Sequence, residues 1–189
     1  MKKNAIAGAL VAVFGALTVA LGHVLGLDLD QVALLGVALG AVVGLVPDRS
    51  PTQRIAAFLA GFAIAWIGYA ARAALLPDTA TGRAVVVFLV IALCMVVAAA
   101  TGSRLPLWAT LVGTAAMVGS YEATYVAAPS QFVDNSPGAA TTVLLAAAMG
   151  HLATMLLGPQ IERSRADERA AAHRNDLAPA HTNQDGVNK

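Results

Sequence analysis

Six apolar runs, at 5–27, 32–46, 55–76, 84–100, 105–128 and 139–157, are separated by short connections, and Lys and Arg collect in alternate connections. A helix needs about 20 apolar residues to cross roughly 30 Å of hydrocarbon. Within hydrocarbon its backbone groups must be bonded inside the segment, which a helix achieves by itself. The pattern predicts an all-α fold, a polytopic helical membrane bundle with six transmembrane helices. Composition agrees, since the chain is 58% hydrophobic and only 12% charged, against about 25% charged in a soluble domain. The second run supplies only about 22 Å of helix. It spans by borrowing residues 28–31 at the interface, by thinning the bilayer, or enters and returns on one side.

Orientation follows from the cations. With the N-terminus inside, Lys2, Lys3, Arg49, Arg54, Arg104, Arg163, Arg165, Arg169 and Arg174 are cytoplasmic, and only Arg72 and Arg83 lie toward the outside. Cytoplasmic connections carry the excess of Lys and Arg, so both termini are expected in the cytoplasm and the host is the cell membrane. A rival reading of the first run is a cleaved signal peptide, with Lys2-Lys3 ahead of the apolar core and Ala20-Leu21-Gly22 as the cleavage region, leaving five spans. The membrane domain is expected to occupy 1–158. A charged cytoplasmic tail follows at 159–189, helical over 161–174 with charge partners such as Arg165 and Arg169 around Asp167 and Glu168. From about residue 175 its Pro, Asn, Gln, Asp and Gly content predicts disorder.

The net charge of +1 provides no basic field for nucleic acid, and the single Cys94 excludes an intrachain disulfide. The chain contains no His-Glu-x-x-His helix, no Gly-x-Ser-x-Gly elbow and no Walker loop. No enzyme activity, cofactor or metal is expected. Two weaker constellations remain: Ser120 with His151 as an intramembrane dyad, and His151 with Met155, Met117, Cys94 and Met95 as soft ligands for monovalent copper. No spacing enforces either.

Local signals mark helix starts. Ser50-Pro51-Thr52-Gln53 places a cap residue before Pro with Gln at the third position, and Ser136-Pro137 repeats the Ser-Pro start. Pro106 takes the same part for the fifth run. Gly36, Gly40 and Gly44 recur at four-residue spacing, as do Ala146, Gly150, Thr154 and Gly158, and Ala115, Gly119, Ala123 and Ala127. Such stripes let helix backbones approach closely in lipid. They serve packing within the bundle or contact with another chain, and the glycine face of the second run is the candidate for a subunit contact.

Three ionisable residues fall within runs: Arg72, Glu122 and His151. Each carries an insertion cost of at least about 2.5 kcal/mol at a helix centre, which makes it a candidate functional residue. Arg72 and Glu122 lie about 6 and 9 Å below the outer boundary at 1.5 Å per residue. They are therefore candidates for an ion pair or an ion site, with His23 in the same layer and Asp28 and Asp30 above it. Alternatively Arg72 snorkels to the surface, and Tyr121 and Tyr125 join an interfacial aromatic belt. His151 and Met155 form a possible second polar site nearer the cytoplasm.

The expected function is that of a non-enzymatic integral membrane subunit or accessory component, acting through helix contacts. Its partners would be the lipid bilayer and either copies of itself or another membrane subunit. The alternative is a small oligomeric transporter or channel for a cation or small solute, with its site around Glu122, Arg72 and His23.

Overall fold

The computed structural model describes residues 2–26, 32–75 and 79–177, without the side chains of 2–7, His23, Leu25 or residues beyond 156. Six helices are present among them and no strand: α1 (Lys2–Leu25), α2 (Ala33–Leu45), α3 (Pro51–Leu75), α4 (Ala80–Ala100), α5 (Leu107–Ala127) and α6 (Phe132–Leu177). The chain divides into two units, Met1–Met155 and Leu156–Lys189. In the second, the described residues are helical to Leu177.

Among the described residues, three helices are long and apolar enough to cross a membrane: Pro51–Leu75, Ala80–Ala100 and the segment Pro129–Leu156. The first two runs contain shorter apolar stretches, Gly8–Gly22 and Ala33–Leu45. Helix α5 has the same 21-residue length as α4, but its sequence includes Ser120, Tyr121, Glu122 and Tyr125.

Helix boundaries follow local chemistry. Ser50 and Gln53 form a capping box at the start of α3: Gln53 N donates to Ser50 Oγ at 3.3 Å, and Ser50 N donates to Gln53 Oε1 at 3.4 Å. Thr79 Oγ1 caps α4 by accepting from Gly82 N at 3.2 Å. Pro106 precedes α5 as its cap residue instead of opening the helix. At the far end of α4, Gly102 and Ser103 both take left-handed backbone angles, and Ser103 N donates to Ala98 O at 2.8 Å. This is the turn in which helices commonly end.

The sixth helix departs from expectation. It begins at Phe132, after a 3-10 turn at Pro129–Gln131, so Ser136-Pro137 lies inside it and is not its start. Pro137 falls in the second turn, where it lacks the N–H that would bond the Val133 carbonyl. Ser136 is instead buried and accepts from Trp66 Nε1 at 3.0 Å.

Close backbone approaches at glycine organise the packing. A Cβ on Gly61 would run into the Thr110 carbonyl, and one on Gly113 into the Phe58 carbonyl. Thr114 Oγ1 adds a bond to Gly61 O at 3.1 Å. Helices α3 and α5 are thus parallel and nearly in backbone contact, with Phe58, Phe62, Tyr69, Met117, Tyr121 and Tyr125 in the shared core. Helix α2 meets α6 in the same way: Gly36 lies against Ala146, Gly40 against the Ala147 carbonyl, Gly44 against Thr154, and Gly150 against the Val37 carbonyl.

The glycine face of α2 is therefore covered within the chain, which removes it as the free subunit contact expected from its spacing. Ala115, Gly119, Ala123 and Ala127 are exposed instead. The inner face of α5 is Gly113, Ala116, Met117, Tyr121 and Tyr125.

Candidate functional site

The polar cluster joins α3 to the later turns of α5. Tyr69 and Arg72 are one turn apart on α3, and both reach Glu122 on α5. Tyr69 Oη donates to Glu122 Oε2 at 2.6 Å. Arg72 Nη1 lies 3.2 Å from Oε1 and 3.3 Å from Oε2. The guanidinium carbon stands 4.4 Å from the centroid of the Tyr125 ring, within the range of a cation–π contact.

Arg72 is 5% exposed, whereas Glu122 is 41% exposed. The cation is thus buried against the Tyr125 ring, and the carboxylate retains an open side. The arrangement replaces the snorkelling Arg72 of the sequence reading with a buried, paired one. It also moves Tyr121 and Tyr125 from an aromatic belt into the core. Their rings pack on Tyr69 at centroid distances of 5.3 and 5.2 Å. Two residues of opposite charge at similar depth on parallel helices can meet, and the chain brings Arg72 and Glu122 together. The side chain of His23, with Asp28 and Asp30, lies outside the described residues.

His151 occupies another part of the bundle. It faces α2, where a Cβ on Gly44 would fall 3.2 Å from its Nδ1. Neither ring nitrogen is accessible to solvent. His151 borders a cavity of about 440 Å³ between α2, α3 and α6, together with Gly40, Phe58, Leu59, Leu152 and Met155.

Ser120 is not its partner. Ser120 Oγ donates to Met117 O at 3.1 Å, and the neighbouring Gly119 lies against Leu35. Leu35 and Gly44 are roughly 13 Å apart along α2, which separates the hydroxyl from the imidazole. The soft-ligand set is dispersed as well: Cys94 is buried 3.5 Å from Thr114 Oγ1, while Met95 and Met155 are exposed.

Arg54 has a role that sequence reasoning missed. Counted there only among the cytoplasmic cations, it is buried at 6% exposure. Its Nη1 donates to Val43 O at 2.8 Å, to Gly44 O at 3.0 Å and to Val46 O. These are terminal carbonyls of α2, which lack intrahelical donors, and a cation at that end also opposes the helix dipole. The available signal was Arg54 following closely on an apolar helix whose last turn contains no basic residue. Nearby, Trp108 Nε1 donates to Asp48 Oδ2 at 2.6 Å, tying the start of α5 to the α2–α3 connection.

Comparison with protein-family models, curated proteins and solved structures finds no match to this chain.

Proposed function

We propose that the chain is a six-pass protein of the cell membrane with both termini cytoplasmic, and that it serves as a non-catalytic subunit or accessory component through helix contacts. The observation that carries this reading is the bare face of α4. Its packing includes Val86 and Val90 near Gly68, and Cys94 at Thr114. Away from these contacts, Val87, Phe88, Leu89, Met95 and Val96 are all more than half exposed. A continuous apolar surface of this kind belongs against lipid or another protein.

Helix directions support six passes. In an up-and-down bundle, helices of the same parity in chain order run parallel. The pairs α2–α6 and α3–α5 do so, as the order of their contacts indicates. Trp66 beside Ser136, and Phe58 near Leu144 and Ala147, make α3 and α6 antiparallel. The cluster of Arg49, Arg54 and Arg104 at one end of these helices supports a cytoplasmic location for that end.

The test is purification in mild detergent, with cysteine cross-linking from Phe88→Cys or Met95→Cys. A second copy or another membrane chain linked at these positions is the expected result. A monomer that cross-links to no protein in its native membrane overturns the reading. The transporter alternative draws support from the open side of Glu122 beside the buried Arg72. It predicts a cation- or pH-dependent flux in reconstituted vesicles that Glu122→Gln abolishes.

A further inference from the structure

The geometry points to a phospholipid site in the cavity between α2, α3 and α6: one acyl chain enters the cavity, with the lipid phosphate at the end where exposed Arg49 lies. This inference rests on the membrane reading above. The volume of about 440 Å³ lies within the roughly 300–1,000 Å³ of small-molecule sites. Its border is aliphatic and aromatic apart from His151 and the backbone at Gly40. Both His151 ring nitrogens are closed to solvent, so the imidazole offers no accessible nitrogen to an occupant. The part of a ligand that fits here is hydrocarbon.

The exposed edge of the cavity carries Leu59, Leu152 and Met155, respectively 46%, 47% and 50% exposed. Leu59 belongs to α3, and the other two to the Pro129–Leu156 segment, both long and apolar enough to span. An opening between two spanning helices faces acyl chains before any other ligand. The bordering residues Ile55, Phe58 and Leu59 lie within the first three turns of α3. Exposed Arg49 lies in the connection leading into that end, and Arg54 immediately precedes Ile55. Asp48, the acid beside them, is engaged by Trp108. Arg54 is engaged by the α2 carbonyls, so exposed Arg49 is the cation offered at the cytoplasmic end, and a cation beside an apolar cavity complements an amphiphile whose head is a phosphate.

The full chain is reconstituted in phosphatidylcholine vesicles containing a trace of phosphatidylglycerol with a diazirine in its acyl chain. After illumination, labelled residues are mapped by mass spectrometry. Label is expected at Leu59, Leu152 or Met155 as well as at Ile67, an exposed α3 residue that reports embedding alone. Ala148→Trp places a ring at the exposed border of the cavity and should remove the cavity label while Ile67 stays labelled. Leu152→Trp provides the same test should that variant fold poorly, and Ala20→Phe on α1 should leave the pattern unchanged. The same diazirine chain carried by diacylglycerol, which has no phosphate, should label the cavity less.

Ile67 labelled with the cavity bare overturns the site while leaving the membrane reading intact. A cavity label that persists in both folded tryptophan variants also overturns it, and equal labelling by diacylglycerol overturns the phosphate assignment. Absence of label everywhere overturns the membrane reading and this inference together.

Discussion

The Tyr69 hydroxyl lies 2.6 Å from the Glu122 carboxylate, closer than the 3.2 Å separating that carboxylate from Arg72. Tyrosine and arginine descend from adjacent turns of α3 onto one acceptor. The tyrosine fixes the position of the carboxylate, and the arginine balances its charge.

Removing Glu122 by substitution to Leu should destabilise the protein by on the order of 3 kcal/mol, because Arg72 would keep its burial and lose the carboxylate it bonds on α5. Tyr69→Phe should cost about 1.5 kcal/mol, the lower range for a hydrogen bond to a charged group. The double substitution Arg72→Leu with Glu122→Leu should be milder than the sum of the singles by about 0.5–3 kcal/mol. Unfolding in mixed detergent measures all three, and strict additivity would show that the two charges are energetically independent.

Gly40→Ala should lower stability without changing oligomeric mass, since the added methyl group would meet the Ala147 carbonyl within the same chain. Overpacking of this kind costs about 1–3 kcal/mol. Gly8→Ala, where the space is open, is the control. A Gly40→Ala chain of normal stability but altered partner recovery would mean that this face meets another molecule.

Arg54→Met should release the end of α2. Amides of 42–46 should exchange hydrogen faster, and stability should fall by about 2 kcal/mol, near the upper value for a cation at a partly buried helix terminus. Arg54→Lys should recover part of the loss, because one ammonium can reach some of the three carbonyls. Unchanged exchange in Arg54→Met would refute the capping role.

A reporter fused after Lys189 should read cytoplasmic, and one inserted in the 128–136 connection should read external, as the distribution of Lys and Arg requires. An external C-terminal reporter would reverse the orientation. The mass of the mature N-terminus separates six passes from five after signal cleavage.

Features governed by local chemistry were legible in the sequence. Ser50 and Gln53 bond each other because a capping box needs only four consecutive residues. The similar depths of Arg72 and Glu122 followed from counting along two helices of the same direction. Which helices adjoin was not legible. The Gly36, Gly40 and Gly44 spacing describes a flat face, but only three-dimensional packing reveals that α6 covers it. Ser136-Pro137 has the composition of a helix start, and proline is also tolerated near one. The bonds of Arg54 were hidden for a related reason: a cation at the end of an apolar run can turn outward to water or back onto the preceding helix's carbonyls, and the spacing is the same.

The seam between α3 and α5 restricts motion as well as distance. Sliding α3 by one turn, about 5.4 Å, would bring Ala57 or Ala65 to the place where Gly61 meets the Thr110 carbonyl. Moving α5 by a turn would put Ala109 or Met117 where Gly113 meets Phe58. Each replacement puts a side chain where the backbones leave no room, so the helices have one register and no neighbouring notch into which they can ratchet. They should translate and tilt as a single body. At α4, by contrast, Gly68 abuts the Val86 and Val90 side chains, which can change rotamer, and this is the interface with freedom to shift.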